Sequence, residues 1–351
     1  MRTRSTLLAI LLAQCIVAAQ DQTPAPAPQG GRGAAPGGRG AAPGGRGAQI
    51  APADLPKYER PKSTYVPPKT ADGQPDISGL YVAIPLTRSV ETPLVVMTNR
   101  PANRANSEFS YSLNERPRVP EGVIARPLGV DPPDGKIPLT PEWLAKRKDI
   151  ISKQEQVEHL DGRVLCLPMG VPRAIVPAPV VGYQILQKPG SVVLFYEQNH
   201  LSRSIPLDGR PAPDPAIKKA MGVSRGHWEG NTLVVEVTNF TNNFENNWVI
   251  GAIAAATGVP AESLTTGHGI PHSDQYKVTE RFTPIDANTI HYEATLYDPK
   301  AFTQPWTIAY YAFARAPKDY VPVEYACFEG NEKNIYLMTN TDITKVRVSV
   351  P

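Results

Sequence analysis

Cysteine is scarce in this chain, three in 351 residues, which excludes a small fold stapled by many disulfides. Long apolar runs are missing too. None reaches the roughly 18 residues that a helical bilayer span requires. A basic surplus is also absent from the body of the chain: of 36 basic and 33 acidic residues, five arginines and two aspartates lie within residues 1–56, which leaves 31 of each sign. Nucleic-acid binding draws most of its affinity from a concentrated basic surface, so that function class is set aside. Nucleotide-binding loops and a Gly-x-Ser-x-Gly nucleophile elbow do not occur, and no cofactor is implied.

What the chain has in excess is glycine and proline, 27 and 38 residues, much of it near the N-terminus. Met1-Arg2-Thr3-Arg4 is a positive n-region, Leu7 to Ala13 a short apolar core, and Val17-Ala18-Ala19 a run of small residues. Together they predict a signal peptide over 1–19 and export to the periplasm or the medium. The alternative is a lipoprotein anchored at Cys15, although Gln14 stands where a small residue is expected. Cleavage after Ala19 leaves Cys166 and Cys327, an even pair in an oxidising compartment. A disulfide is expected there, with two buried thiols as the alternative.

Residues 20–56 form a Gly/Pro/Ala/Arg linker. Gly30-Gly31-Arg32-Gly33-Ala34-Ala35-Pro36 recurs at Gly37 and begins again at Gly44, spacing Arg32, Arg39 and Arg46 seven apart. Such a tract buries nothing and reads as a disordered spacer, in reach of an anionic cell envelope. Residues 57–182 are too rich in proline for long elements and read as an extended wrapping arm. One helix is expected in it over 140–156, with Thr140 as cap and Pro141 at the first helical position.

From Tyr183 the pattern changes to short β-branched or alternating runs. Strands are expected over 183–187, 191–198, 202–207, 223–228, 232–239, 275–282, 289–297, 306–314, 321–326, 335–339 and 343–349. Turn chemistry separates them at Lys188-Pro189-Gly190, Asp208-Gly209-Arg210, Glu229-Gly230-Asn231 and 284–288. The fold class that follows is mainly β, an antiparallel up-and-down barrel or strongly curled sheet over 183–351. A short helix is expected over 250–257, inside the one long excursion.

Several segments carry a resemblance. Asp72-Gly73-Gln74-Pro75-Asp76-Ile77-Ser78-Gly79-Leu80-Tyr81, Cys166-Leu167-Pro168-Met169-Gly170-Val171-Pro172-Arg173 and Gly226-His227-Trp228-Glu229-Gly230-Asn231-Thr232 are the longest, joined by Pro271-His272-Ser273 and Asp298-Pro299-Lys300-Ala301-Phe302-Thr303. With these the chain resembles a large uncharacterised family of exported bacterial proteins. The resemblance implies a single recurring architecture similar to lipocalin-like barrels; it brings no reaction with it.

Chemistry is therefore read from strand faces. Glu280 shares a face with Tyr276, Val278 and Phe282, while Lys277, Thr279 and Arg281 point the other way. An inward carboxylate must be paired, bonded or protonated, and pairing across 284–288 brings Tyr292 near it. Glu280 is the leading acid/base candidate, with a structural ion pair to Arg203 or Arg173 as the competing explanation. His272, in the loop entering that strand, is expected at the barrel rim as a second acid/base group, with Arg203 steadying negative charge. Tyr292, Trp228, Trp306, Arg210 and Glu197 are candidate ligand contacts through hydrogen bonding, stacking or anion clamping. His268 with His272, and Glu197 with His200, have spacings that would bind metal on a helix but not on the loop and strand expected here, so no metal site is assigned.

Two functions remain. One is an exported binding protein for a small molecule or saccharide held in a barrel cavity. The other is a lyase or hydrolase using His272 and Glu280 in the same cavity.

Overall fold

The computed structural model describes residues 57–83, 128–152, 166–175, 182–241, 270–322, 324, 325 and 327. The expected signal peptide, linker, 250–257 helix and strands over 335–339 and 343–349 lie outside them. Mainly antiparallel β structure forms a nearly closed barrel with one short helix.

The strands are β1 (Gly79–Ala83), β2 (Gly129–Asp131), β3 (Gly182–Lys188), β4 (Ser191–Tyr196), β5 (Leu201–Pro206), β6 (Val223–Glu229), β7 (Thr232–Thr238), β8 (Lys277–Pro284), β9 (Thr289–Tyr297) and β10 (Trp306–Arg315), with helix α1 (Pro141–Ser152) between β2 and β3. Around the barrel the order is β5-β4-β3-β1-β10-β9-β8-β7-β6, and β2 adds to β10. Two meanders of neighbouring strands, β3 to β5 and β6 to β10, are joined by β1. That strand went unread in the sequence, where proline surrounds it, and so did the three residues of β2.

Among the described residues the barrel path holds nine antiparallel strands, an odd number, and this decides how the path ends. The outermost strands, β5 and β6, must run in the same direction, so a tight hairpin cannot join them. Residues 207–222 instead make a long return. The expected turn at Asp208-Gly209-Arg210 therefore opens this return and does not close a hairpin. Asn239 anchors this return by donating from Nδ2 to the carbonyls of Pro213, Asp214 and Ile217. Across the seam Gly226 has to be glycine: a Cβ there would lie 2.7 Å from Ile205 Cγ2 and 2.8 Å from Leu207 Cδ2. A second correction concerns 321–326, where the described residues are irregular and not a strand.

Strand alternation builds the core. Val235 and Val237 on β7, Val278 and Phe282 on β8, and Tyr292, Ala294 and Leu296 on β9 are all buried inside the barrel. Turning so many apolar side chains inward is the main driving term, at about 25 cal/mol per Å² of apolar surface. One end of the barrel receives residues 166–175, in which Met169, Val171 and Arg173 are buried. Tyr276 donates to the Val171 carbonyl and Tyr310 to that of Ile175. Cys166 is bridged to Cys327, with Cα atoms 5.7 Å apart, inside the range a disulfide requires. The expected bridge is thus present, and it fits an oxidising compartment. In α1 the Trp143 amide donates to Thr140 Oγ1, the cap expected from the sequence.

Outside the barrel, residues 57–65 cross β8 and β9. Tyr58 and Arg60 both donate to the Glu293 carboxylate, Ser63 to the Pro284 carbonyl, and Asn231 to the carbonyl of Tyr65. His291, two residues from Glu293 on the same outer face, is 3% exposed and stacks on Tyr58. Burial, helped by the Arg60 charge and opposed by Glu293, pushes its pKa down to about 4. Burial would raise Glu293, but the bonds and charge of Arg60 and the Tyr58 hydroxyl win and hold it below its usual value.

These shifts set the direction of acid sensitivity. A neutral histidine with a lowered folded pKa contributes stability that is complete above about pH 6.5 and is lost as pH falls toward 4. The loss is about 3 kcal/mol at 1.36 kcal/mol per unit. Glu293 adds a loss of the same sign below its unfolded value. Urea unfolding of the wild type should weaken across pH 6.5 to 4, and His291→Gln should flatten that slope; an equal slope in both proteins would refute this assignment.

Candidate functional site

Glu280 points into the barrel, as the alternation of β8 requires, and is fully buried. Its neighbours across the ladders are Val235 on β7 and Ala294 on β9. Its oxygens have two partners of different kinds. Tyr292, diagonally across on β9, donates its hydroxyl to Oε1 at 2.8 Å. Arg203 on β5 brings Nη1 to 2.7 Å from Oε2, with both side chains almost wholly buried. Arg203 comes from beyond the seam and passes β6 and β7 to reach β8. The inward positions of β6 there are Ser224 and Gly226, which pair with Val237 and Val235 of β7.

Electrostatics keep Arg203 charged and the Tyr292 hydroxyl protonated. Burial opposes the Arg203 charge, yet the adjacent Glu280 carboxylate outweighs it and leaves the guanidinium pKa above its ordinary value. Burial, then the Glu280 charge, push the Tyr292 hydroxyl well up, so it remains a donor. Tyr196 on β4 is raised by burial as well, with Arg203 pulling it down and Glu280 pushing it up. Hydrogen bonding is nonetheless incomplete. The Arg203–Glu280 approach is an ion pair without hydrogen-bond geometry, and Nε and Nη2 of Arg203, the Tyr196 hydroxyl and the Ser224 hydroxyl have no hydrogen-bond partner among the described residues.

The other candidates are dispersed. His272, in the loop entering β8, is buried: it stacks on Tyr276 with ring centroids 4.4 Å apart, lies edge-on to Phe240, and places Nδ1 3.0 Å from the Ser273 carbonyl. Its loop is held by Asp298, which accepts from the Ser273 amide and hydroxyl. The hydrogen-bond and ion-pair partners of Glu280 are Tyr292 and Arg203, and His272 is not among them. Glu197 accepts from the Gly182 amide and the Tyr320 hydroxyl, fastening the chain on either side of the barrel strands. Arg210 is exposed and paired with Asp208. Trp306 is buried against Phe302, and Trp228 is half-buried at the edge of the core.

Among the described residues no cluster of three or more histidine, cysteine or acidic side chains has metal-binding geometry. An outer groove of about 290 Å³ lies between the 206–212 turn and β6–β7. Two of its charged groups already serve the fold: Arg225 donates from Nε to the Arg210 and Pro211 carbonyls, and Arg210 pairs with Asp208. Sequence reasoning did not single out Tyr196 or Ser224 as part of the inner cluster. Strand alternation gave their face, but nothing local indicated which facing residues would meet across the seam.

Comparison with protein-family models, with curated proteins and with solved structures finds no match for this chain. What the fold and site define is a nearly closed antiparallel barrel, able to hold a cavity, with an ion pair and tyrosine hydroxyls facing inward.

Proposed function

We propose that the chain is an exported binding protein that holds a small molecule inside its barrel, against the Arg203–Glu280–Tyr292 cluster. One observation carries this reading. Arg203 is 3% exposed, yet among the described residues its Nε and Nη2 have no hydrogen-bond partner. Buried N–H donors in native proteins are nearly always bonded, and a buried ion pair serves the fold best when its remaining protons are satisfied. Donors held in that state inside a barrel suit a bound acceptor. The strand number adds support, since eight strands leave room for packed side chains or one small ligand and the width grows with strand number.

The likeness in kind to lipocalin-like barrels and the Cys166–Cys327 bridge agree with an exported carrier. Its partner is a small molecule or saccharide, and the 20–56 linker gives it reach at the cell envelope. The acid/base reading has less support, because no hydrogen bond or ion pair joins His272 to Glu280.

Thermal unfolding of the mature chain, with sugars, short acids, alcohols and esters as probes, tests the proposal. A ligand that binds only the native state at 100 times its Kd adds about 2.7 kcal/mol, visible as a Tm rise of several degrees. Absence of any such rise, together with no probe retained in native mass spectrometry, would overturn it.

A further inference from the structure

We infer that the group recognised inside the barrel is a carboxylate, taken by the Nε–Nη2 edge of Arg203. The inference rests on the reading of the barrel as a binding site. A guanidinium presents its N–H groups in a rigid fork, and the Nε–Nη2 edge offers two parallel donors that match the two oxygens of one carboxylate. Glu280 occupies the other side of the fork: its Oε2 is 2.7 Å from Nη1, while its Oε1 accepts from Tyr292. The Nε–Nη2 edge is left with no partner. A lone hydroxyl or ketone oxygen would satisfy only one of its two donors.

Charge narrows the class further. Glu280 sits on the same guanidinium, so a phosphate or sulfate would set additional negative oxygens against a buried carboxylate; a monoanion is the better match. The Tyr196 hydroxyl supplies a further donor. It is buried without a partner, feels the charges of both Arg203 and Glu280, and stays protonated. The surroundings are apolar. Leu194 is opposite Arg203 on β4, and Val235 and Ala294 flank Glu280. The ligand is therefore a monocarboxylate with an apolar body.

Calorimetry on the mature wild-type chain at pH 7 tests this with hexanoate, decanoate and 4-phenylbutyrate, the alcohol and methyl ester of each, and inorganic phosphate. At least one acid should bind ten times or more tighter than its alcohol and ester, and phosphate should not compete with it. Arg203→Lys, which keeps the charge but not the two-donor edge, should abolish that preference. Tyr196→Phe leaves the ion pair intact, and it should weaken the acid three- to tenfold without weakening the ester. Equal binding of acid, alcohol and ester would overturn the carboxylate assignment and leave the barrel reading standing. Competition by phosphate would overturn the monoanion choice. If no probe binds, both proposals fall.

Discussion

Replacing Arg203 by methionine is expected to cost about 3–5 kcal/mol of folding stability, the range for removing one partner of a buried ion pair. The loss arises from what remains: a fully buried Glu280 whose other partner among the described residues is the Tyr292 hydroxyl. The double substitution Arg203→Met/Glu280→Met should recover most of the loss, because an apolar pair of similar volume needs no compensation for desolvated charge. Urea unfolding of the four proteins in the cycle measures this. A single-variant loss below about 1 kcal/mol, the level of an exposed pair, would mean the two charges are not desolvated together. The double variant also separates fold from function, since it should stay folded while losing the carboxylate preference.

Opening the Cys166–Cys327 bridge should have an effect of similar size. The bridge closes a loop with a sequence separation of 161 residues, for which the chain-entropy relation gives about 5 kcal/mol, while measured losses from small secreted domains run to about 2–5 kcal/mol. Cys166→Ser/Cys327→Ser should therefore lower the unfolding midpoint sharply, and reductant should do the same to the wild type. Hydrogen exchange should rise first at 166–175, the segment this bridge ties down at one end of the barrel. An unchanged midpoint after verified reduction would show that non-covalent packing, such as the Tyr276 and Tyr310 bonds to that segment, is sufficient.

Local pattern accounts for the parts that were legible in the sequence. Eight of the expected strands coincide with β3 to β10 within a few residues, because period-two alternation and turn residues act over short spans. Glu280 could be placed indoors from its own strand alone. Tyr292 could be placed beside it because one short turn joins β8 to β9. β1 was not legible: Gly79–Ala83 has only five residues among prolines, and its strand conformation comes from β3 and β10 on either side. The burial of His272 was not legible, because burial of a loop depends on what packs over it, here Tyr276 and Phe240.

The sequence by itself determined the mainly β class and the inward face of each long strand, properties carried by alternation and turn chemistry. Tertiary structure alone decided the strand count around the barrel, and with it the parallel seam between β5 and β6 that forbids a hairpin at Asp208. It also decided which of several arginines would neutralise Glu280. Arg203 and Arg173 were equal candidates along the chain, and only the curling of the barrel brought Arg203 Nη1 to 2.7 Å from Glu280. Coulomb attraction and burial act through distance in space, and separation along the chain carries no information about that distance until the barrel curls round.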